Sequence, residues 1–365
     1  MTTAAQTDFE RNLLESRLSD TERESRVAAP VFGTVFTEHM VTVRFTEGRG
    51  WHSPRVEPFG PIPMSPATAV LHYGQEIFEG LKVYRTPDGA MQLFRPEMNA
   101  RRFRASARRL AMPEVPDELF LAALEELAGA DRKWLPGGPG TSLYLRPFLI
   151  ASEEFIGVRP AAEYLFGVIA CPVGAAFPGG TSPLTVLVSD DYTRAAPGGT
   201  GEAKCGGNYA ASMPAQARAA AVGCDQVVFL DAAEHRYVEE LGGMNVFFVF
   251  DDGTLVTPPL GGTILPGITR DSVMTLAAAA GHRLVERPYT MEEWRADASS
   301  GHLHEVFACG TAAVVTPIGT VRSAGEEFRI HEGKAGPVTE RLRASLTDIQ
   351  YGRIPDTFGW TRRIR

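Results

Sequence analysis

Lysine is scarce in this chain. Arginine supplies most of the basic charge, and only Lys82, Lys133, Lys204 and Lys334 are lysines. Three of them read as surface residues: Lys82 follows Glu79-Gly80-Leu81, Lys133 lies in Asp131-Arg132-Lys133, and Lys334 sits in Glu332-Gly333-Lys334-Ala335-Gly336. Lys204 differs, because its run Gly201-Glu202-Ala203-Lys204-Cys205-Gly206-Gly207-Asn208-Tyr209 flanks it with glycine and places an aromatic hydroxyl nearby. A pliant backbone suits an amine that must swing between two covalent partners, and a desolvated amine attacks a carbonyl more readily. A solvated loop lysine fits the same run.

Other residues could hold an anion. Arg102 offers a two-pronged guanidinium on a basic helix. Gly267-Ile268-Thr269 leads into a helix beginning near Arg270, so the Ile268 and Thr269 backbone N–H groups would point at an anion. Thr311, between Gly310 and Ala312, can donate a hydroxyl. The plain alternatives are a solvated helix arginine for Arg102, an N-cap for Thr269 and a turn residue for Thr311. Glu239 and Glu240 are adjacent, and on a strand they would face opposite sides, so only one could serve a given site. Alternation also puts Tyr144 and Arg146 of Tyr144-Leu145-Arg146 on one face.

These residues need elements to position them. Residues 1–29 are polar and charged, a helical or loose arm. An α+β stretch follows: Val41-Thr42-Val43-Arg44-Phe45 alternates like a strand, and Leu81–Tyr84 joins Met91–Phe94 through Thr86-Pro87-Asp88-Gly89 as a hairpin. Pro96 opens a basic helix to about Met112, and Asp117 to Ala130 is a second, amphipathic one. Apolar strands span Ser142 to Ile150 and Tyr164 to Cys171. The Gly- and Pro-rich stretch Pro172-Val173-Gly174-Ala175-Ala176-Phe177-Pro178-Gly179-Gly180 reads as a linker. Leu184 to Ser189 then starts a second domain, with helices near 208–222, 270–281 and 337–350 and strands at 226–230, 245–250, 254–257 and 304–308.

A length of 365 residues exceeds what one core usually supports. The formal net charge of -8 argues against a general nucleic-acid binder. The start lacks a basic n-region and an apolar h-region, and no window is apolar enough to span a bilayer, so the cytoplasm is the expected compartment. Cys171, Cys205, Cys224 and Cys309 are scattered without metal spacing and read as reduced, mostly buried thiols; no metal is expected.

Gly206-Gly207-Asn208-Tyr209 resembles a phrase of the branched-chain amino-acid aminotransferases, fold-type IV enzymes dependent on pyridoxal 5'-phosphate. Further matching phrases follow in the family's order: Val31-Phe32-Gly33, Leu71-His72-Tyr73-Gly74, Phe78-Glu79-Gly80, Leu143-Tyr144-Leu145-Arg146-Pro147, Leu265-Pro266-Gly267-Ile268-Thr269-Arg270, Cys309-Gly310-Thr311-Ala312 and Gly336-Pro337. The resemblance implies an α+β, two-domain fold like that of D-amino-acid aminotransferase with the cofactor in the inter-domain cleft: a small domain at 30–171, a linker at 172–183 and a large domain at 184–365. Lys204 would be the catalytic lysine bonded to the cofactor. Arg102, Ile268, Thr269 and Thr311 would hold its phosphate, Tyr209 its phenolate oxygen and Glu240 its pyridine nitrogen, leaving Glu239 as a solvated surface acid. Phe32, Tyr73, Phe78, Tyr144, Arg146, Thr311 and Ala312 would line the substrate site, Arg146 either binding a carboxylate or organising Tyr73 and Tyr144.

The implied reaction moves the amino group of L-leucine, L-isoleucine or L-valine to 2-oxoglutarate. The partners are small amino acids and 2-oxo acids, in a homodimer whose Tyr73 and the segment near Ile156 and Val158 reach the neighbouring subunit. One position departs from the family: Gly174-Ala175-Ala176 stands where relatives have Gly-Ala-Tyr, which predicts a roomier pocket unless Phe177 fills it. Alternatives on the same fold are a D-amino-acid aminotransferase, an aminodeoxychorismate lyase or an aminotransferase of specialised metabolism. A silent binding protein would have lost the lysine or the pyridine acid, and neither is missing.

Overall fold

The computed structural model describes residues 8–14, 18–28, 31–174, 182–323 and 325–364. Ala176 and Phe177, with most of the expected linker, lie outside the described residues. Contacts divide the chain into two compact units, Met1–Ala176 with Ala203–Gly206 and Ile349–Arg365, and Phe177–Glu202 with Gly207–Asp348.

The first unit is built on one sheet. Edge to edge it runs Glu10–Arg11, Gly50–Pro58, His39–Thr46, Glu163–Val173, Ser142–Ala151, Leu81–Arg85, Met91–Phe94 and Thr361–Ile364, with Glu76–Phe78 added beside Ser142–Ala151. The two long apolar strands are antiparallel partners from Ser142↔Val173 to Ala151↔Tyr164. Helices Pro96–Arg109 and Asp117–Ala130 cover one face, where Phe103 and Phe120 meet Phe166 at ring-centroid distances of 5.7 and 6.1 Å.

The first of these helices stops before the expected Met112. Ala111 takes the left-handed conformation (φ 53), and the Met112 N–H turns back to the Ala107 carbonyl at 2.9 Å, a Schellman-type close. The N-terminal arm is partly helical, Asp20–Val27, with Ser19 and Glu22 forming a capping box. Lys82, expected at the surface, is buried, because Leu81–Arg85 is an interior strand of the sheet.

The residues after 348, expected in the large domain, return to the first sheet. Thr361–Ile364 pairs antiparallel with Met91–Phe94, and the Gln92 side chain donates to the Ile349 and Gln350 carbonyls at 3.2 and 2.9 Å. A strand edge left bare there would expose unpaired backbone groups.

The second unit has its own sheet, in the order Val238–Leu241, Gln226–Leu230, Leu184–Val188, Val314–Ser323, Leu303–Gly310, Asn245–Phe250, Leu255–Thr257 and Leu284–Glu286, with Glu326–Arg329 paired to Val314–Ser323. Helix Pro337–Gln350 starts on a buried acid: Glu305 accepts from the Val338 and Thr339 N–H groups at 2.9 and 2.8 Å and from the Thr339 hydroxyl at 2.7 Å. A Cβ on Gly336 would overlap the Glu305 carboxylate, so the Gly336-Pro337 phrase is a packing requirement. Gly336→Ala should cost about 1–3 kcal/mol, read as a lower urea midpoint.

Among the described residues no helix is long and apolar enough to cross a membrane, and no group of three or more His, Cys, Asp or Glu side chains could hold a metal ion. All four cysteines are buried and free.

Candidate functional site

In the first unit three backbone contacts hold the run around Lys204. Its N–H donates to the Ser106 hydroxyl at 2.9 Å, its carbonyl accepts from the Phe78 N–H at 2.9 Å, and the Gly206 N–H donates to the Glu76 carboxylate. The run is therefore pinned. A Cβ on Gly206 would overlap Glu76, so this glycine serves close approach, where the sequence suggested pliancy. The Lys204 side chain is half-buried, with Nζ 4.8 Å from the Phe78 ring centroid. Burial, reinforced by the Arg102 and Arg146 charges and opposed by Glu79, lowers its amine from 10.5 to about 8.

Arg102 lies on helix Pro96–Arg109 and grips Glu79, its Nε and Nη2 donating at 2.7 and 3.0 Å. Glu79 is fully buried and also accepts from the Asn99 amide at 2.7 Å and the Gly80 N–H at 3.0 Å. Burial would raise its carboxyl, but Arg102, Lys204 and Asn99 outweigh that and lower it. In the sequence Glu79 was visible only inside the Phe78-Glu79-Gly80 phrase; nothing marked it as the anchor of Arg102.

Arg146 and Tyr144 share a face as alternation predicts. The Arg146 guanidinium lies 4.7 Å from the Phe78 centroid and 5.3 Å from that of Tyr144, and Nη2 donates to the Tyr144 hydroxyl at 3.1 Å. Its Nε is buried with no hydrogen-bond partner among the described residues. Phe32 meets Tyr144 edge to face at 5.1 Å. Tyr73 belongs to a different place: it is exposed, and its hydroxyl donates to the Ile156 carbonyl.

In the second unit Glu240 and Glu239 lie on strand Val238–Leu241 and have separate partners, as alternation requires. Glu240 Oε1 accepts from the Leu265 N–H at 2.8 Å and pairs with Arg194 Nη1 at 3.0 Å, while the Asn245 amide is 3.4 Å from Oε2. Asn245 also donates to the Leu265 carbonyl at 3.0 Å, which fixes the turn ahead of helix Ile268–Ala279. Ile268 and Thr269 open that helix behind Gly267, and no side chain caps it. Glu239 is not the surface acid expected. It is buried, because Thr263 covers it and donates its hydroxyl at 2.5 Å, and burial raises its carboxyl.

Tyr209 lies half-buried in the first turns of helix Gly206–Ala221, with its ring at van der Waals distance from where a Gly243 Cβ would be. Thr311 and Ala312 form the turn after strand Leu303–Gly310, Thr311 half-buried and Ala312 exposed. Gly310 packs on Gly243 and Met244, so the residue before Thr311 and the Tyr209 ring both lie against the turn that follows the Glu240 strand. Arg194, in Thr193-Arg194-Ala195-Ala196-Pro197, had no signal in the sequence.

A family model described as amino-transferase class IV matches residues 76–321. A probable branched-chain-amino-acid aminotransferase of Streptomyces coelicolor is 56% identical over 348 residues, covering 95% of this chain and 96% of its own. A branched-chain-amino-acid aminotransferase of Mycobacterium tuberculosis is 55% identical over 350 residues, 95% of each chain. Among solved structures, a branched-chain amino acid aminotransferase from Escherichia coli superposes with a TM-score of 0.71 at 28% identity, covering 89% of this chain and 99% of that one. The enzyme of the same name from Thermobaculum terrenum, solved in its PLP form, superposes with a TM-score of 0.73 at 25% identity, covering 90% and 99%.

Proposed function

From the fact that this chain belongs to the class IV amino-transferases, we propose that it moves the amino group of L-leucine, L-isoleucine or L-valine to 2-oxoglutarate with pyridoxal 5'-phosphate, Lys204 being the lysine that bonds the cofactor. The observation that carries the reading is the Lys204 amine, lowered to about 8 beside a fixed Arg102–Glu79 pair. An amine titrating there takes and returns protons near neutral pH.

The residues suit the cofactor. Arg102 in the first unit, and Ile268, Thr269 and Thr311 in the second, would hold the phosphate; the uncapped start of helix Ile268–Ala279 leaves N–H groups suited to an anion. Tyr209 would donate to the phenolate oxygen. Glu240, whose Oε1 meets both the Arg194 guanidinium and the Leu265 N–H, has the setting that favours an ionised carboxylate, and it would hold a proton on the ring nitrogen. When bound, the cofactor supplies an electron sink for the pair left by the broken Cα–H bond. Lys204 Nζ takes the α-proton in its neutral form and returns it as the ammonium. Phe32, Phe78 and Tyr144 offer apolar area to a branched side chain, with Thr311 and Ala312 also lining the substrate and Tyr73 reaching the substrate site of the neighbouring subunit, and Arg146 offers a cation to a substrate carboxylate.

The exposed Leu71, Tyr73, Ile156 and Val158 form an apolar surface that a second copy of the chain would cover, making a homodimer. Four buried, unpaired thiols are compatible with the reducing cytoplasm. Purified protein loaded with pyridoxal 5'-phosphate should convert L-leucine and 2-oxoglutarate to glutamate and the corresponding 2-oxo acid, measured by glutamate release. No glutamate from any of the three branched amino acids would overturn the reading.

A glycine near Tyr144 gives a second check. A Cβ on Gly80 would overlap the Tyr144 hydroxyl, and the ring is hemmed in by Phe32 and Arg146. Gly80→Ala should therefore push Tyr144 aside and lower kcat/KM for L-leucine by about 10²-fold, the usual consequence of displacing a substrate-positioning group by about 1 Å. Gly207→Ala, with open space around it, should leave kcat/KM within about threefold.

A further inference from the structure

We propose that Arg194 is a positioning residue of the amino-transfer reaction, acting through Glu240 and through the turn that leads along the chain to Lys204. The inference rests on the reading above, in which Glu240 serves the cofactor's ring nitrogen.

Arg194 is buried, its side chain 4% exposed, and its partner Glu240 is 2% exposed. Nη1 lies 3.0 Å from Glu240 Oε1 and donates to the Thr263 carbonyl at 2.8 Å; Nη1 and Nη2 both reach the Gly201 carbonyl at 3.2 Å. One planar fork thus joins three segments of the second unit: the Glu240 strand, the Thr263 turn and the Gly201 turn, which precedes Lys204 in the chain. The fit is close. A Cβ on Gly201 would overlap the Thr263 backbone, so the two carbonyls can meet the same guanidinium only because residue 201 is glycine.

The charge matters as well as the shape. A carboxylate as buried as Glu240 would tend to take up a proton for itself, since burial disfavours the charged form. A fixed cation at 3.0 Å and the Leu265 N–H at 2.8 Å oppose that. With Glu240 ionised, a proton placed between it and a ring nitrogen rests on the nitrogen, the state that draws electrons from the substrate's α-carbon. Arg194 touches neither substrate nor cofactor in this account. Lysine could supply the charge but could not reach one carboxylate and two carbonyls from a planar fork.

The test is a double-mutant cycle on the cofactor-loaded protein, with Arg194→Met, Arg194→Lys, Glu240→Gln and the double variant Arg194→Met/Glu240→Gln. Two quantities are read: the dissociation constant of pyridoxal 5'-phosphate by equilibrium dialysis, and the single-turnover rate with L-leucine. Arg194→Met should weaken cofactor binding and slow the single turnover by about 10- to 100-fold each, as loss of an outer partner of a reacting group commonly does. In the Glu240→Gln background the same change should cost clearly less, because the carboxylate is already neutral and only the share carried through the Gly201 and Thr263 carbonyls remains. Arg194→Lys should lie between wild type and Arg194→Met, since it keeps the cation and loses the carbonyl bonds; it also serves as the charged comparator if Arg194→Met does not fold. Equal losses in both Glu240 backgrounds, or a full-activity Arg194→Met, would overturn the proposal. Failure of the functional reading is distinct: the wild type itself would then bind no pyridoxal 5'-phosphate.

Discussion

Lys204→Met should lose amino-group transfer by at least about 10⁴-fold, yet resist urea better than the wild type when both are free of cofactor below pH 8. The activity loss follows from removing both the covalent partner proposed for the cofactor and the group proposed to carry the α-proton. The stability gain follows from the depressed amine. Lys204 titrates at about 8 in the folded chain against 10.5 for an ordinary lysine, so between those pH values the unfolded chain binds more protons and wild-type stability rises with pH. Below pH 8 the lysine is charged in both states, and the folded chain bears the full cost of holding that charge beside Arg102. At about 1.36 kcal/mol per pKa unit this amounts to about 3 kcal/mol before discounting for partial exposure, so a gain of about 1–3 kcal/mol is expected at pH 7, shrinking as the pH approaches 10.5. Urea midpoints of the two proteins at pH 7 and pH 10 test the sign. A midpoint at pH 7 equal to or below that of the wild type would show that the amine is not held against its preference. Borohydride reduction of the loaded wild type should label the peptide containing Lys204; label on those of Lys82, Lys133 or Lys334 would contradict the assignment.

Glu240→Gln and Glu239→Gln should differ sharply in activity and move stability in opposite senses, though the residues are adjacent. Glu240 is the buried partner of Arg194, and its neutral replacement strands a buried guanidinium at a cost of about 3–5 kcal/mol. It also removes the anion proposed for the ring nitrogen, which should slow the α-proton step by about 10²- to 10⁴-fold. Glu239 has the reverse setting. Burial raises its carboxyl, Thr263 only partly offsets this, and Oε2 has no partner among the described residues. A raised carboxyl means the folded chain binds more protons above the usual carboxylate pKa, so stability falls as the pH rises through the folded value. Glu239→Gln removes that charge and should stabilise the protein at pH 7 while leaving the single-turnover rate within about threefold. Denaturation midpoints and single-turnover rates with L-leucine check both; loss of stability in Glu239→Gln would show that the acid is paired after all.

Elements that touch one core were easy to find from the residues alone. Asp117–Ala130 is helical over the residues its amphipathic pattern marked, and Ser142–Ala151 and Glu163–Val173 read as apolar runs because both are interior strands. Gly50–Pro58 was missed because its tryptophan, histidine, proline and charged residues break any apolar alternation, while its partner His39–Thr46 shows it. The candidate site was legible at Lys204, Tyr144 and Arg146, where spacing carries meaning and the structure places all three around Phe78 or one another. It was not legible at Glu79, Arg194 or Glu239, because each is defined by a partner distant in the chain: Glu79 by Arg102, Arg194 by Glu240 and Glu239 by Thr263. A buried ionic residue looks like a surface one until its partner is known.

The return of Thr361–Ile364 to the first sheet bears on the order in which the protein is made. Met91–Phe94 leaves the ribosome well before the strand that completes its edge is synthesised, and Arg362 then ties that strand to Glu97 and Glu125 at 3.2 and 2.7 Å. Closing so long a loop is costly in chain entropy and slow. Throughout synthesis of the second unit, the nascent first unit would carry an open strand edge, and a stalled or prematurely released chain would expose it.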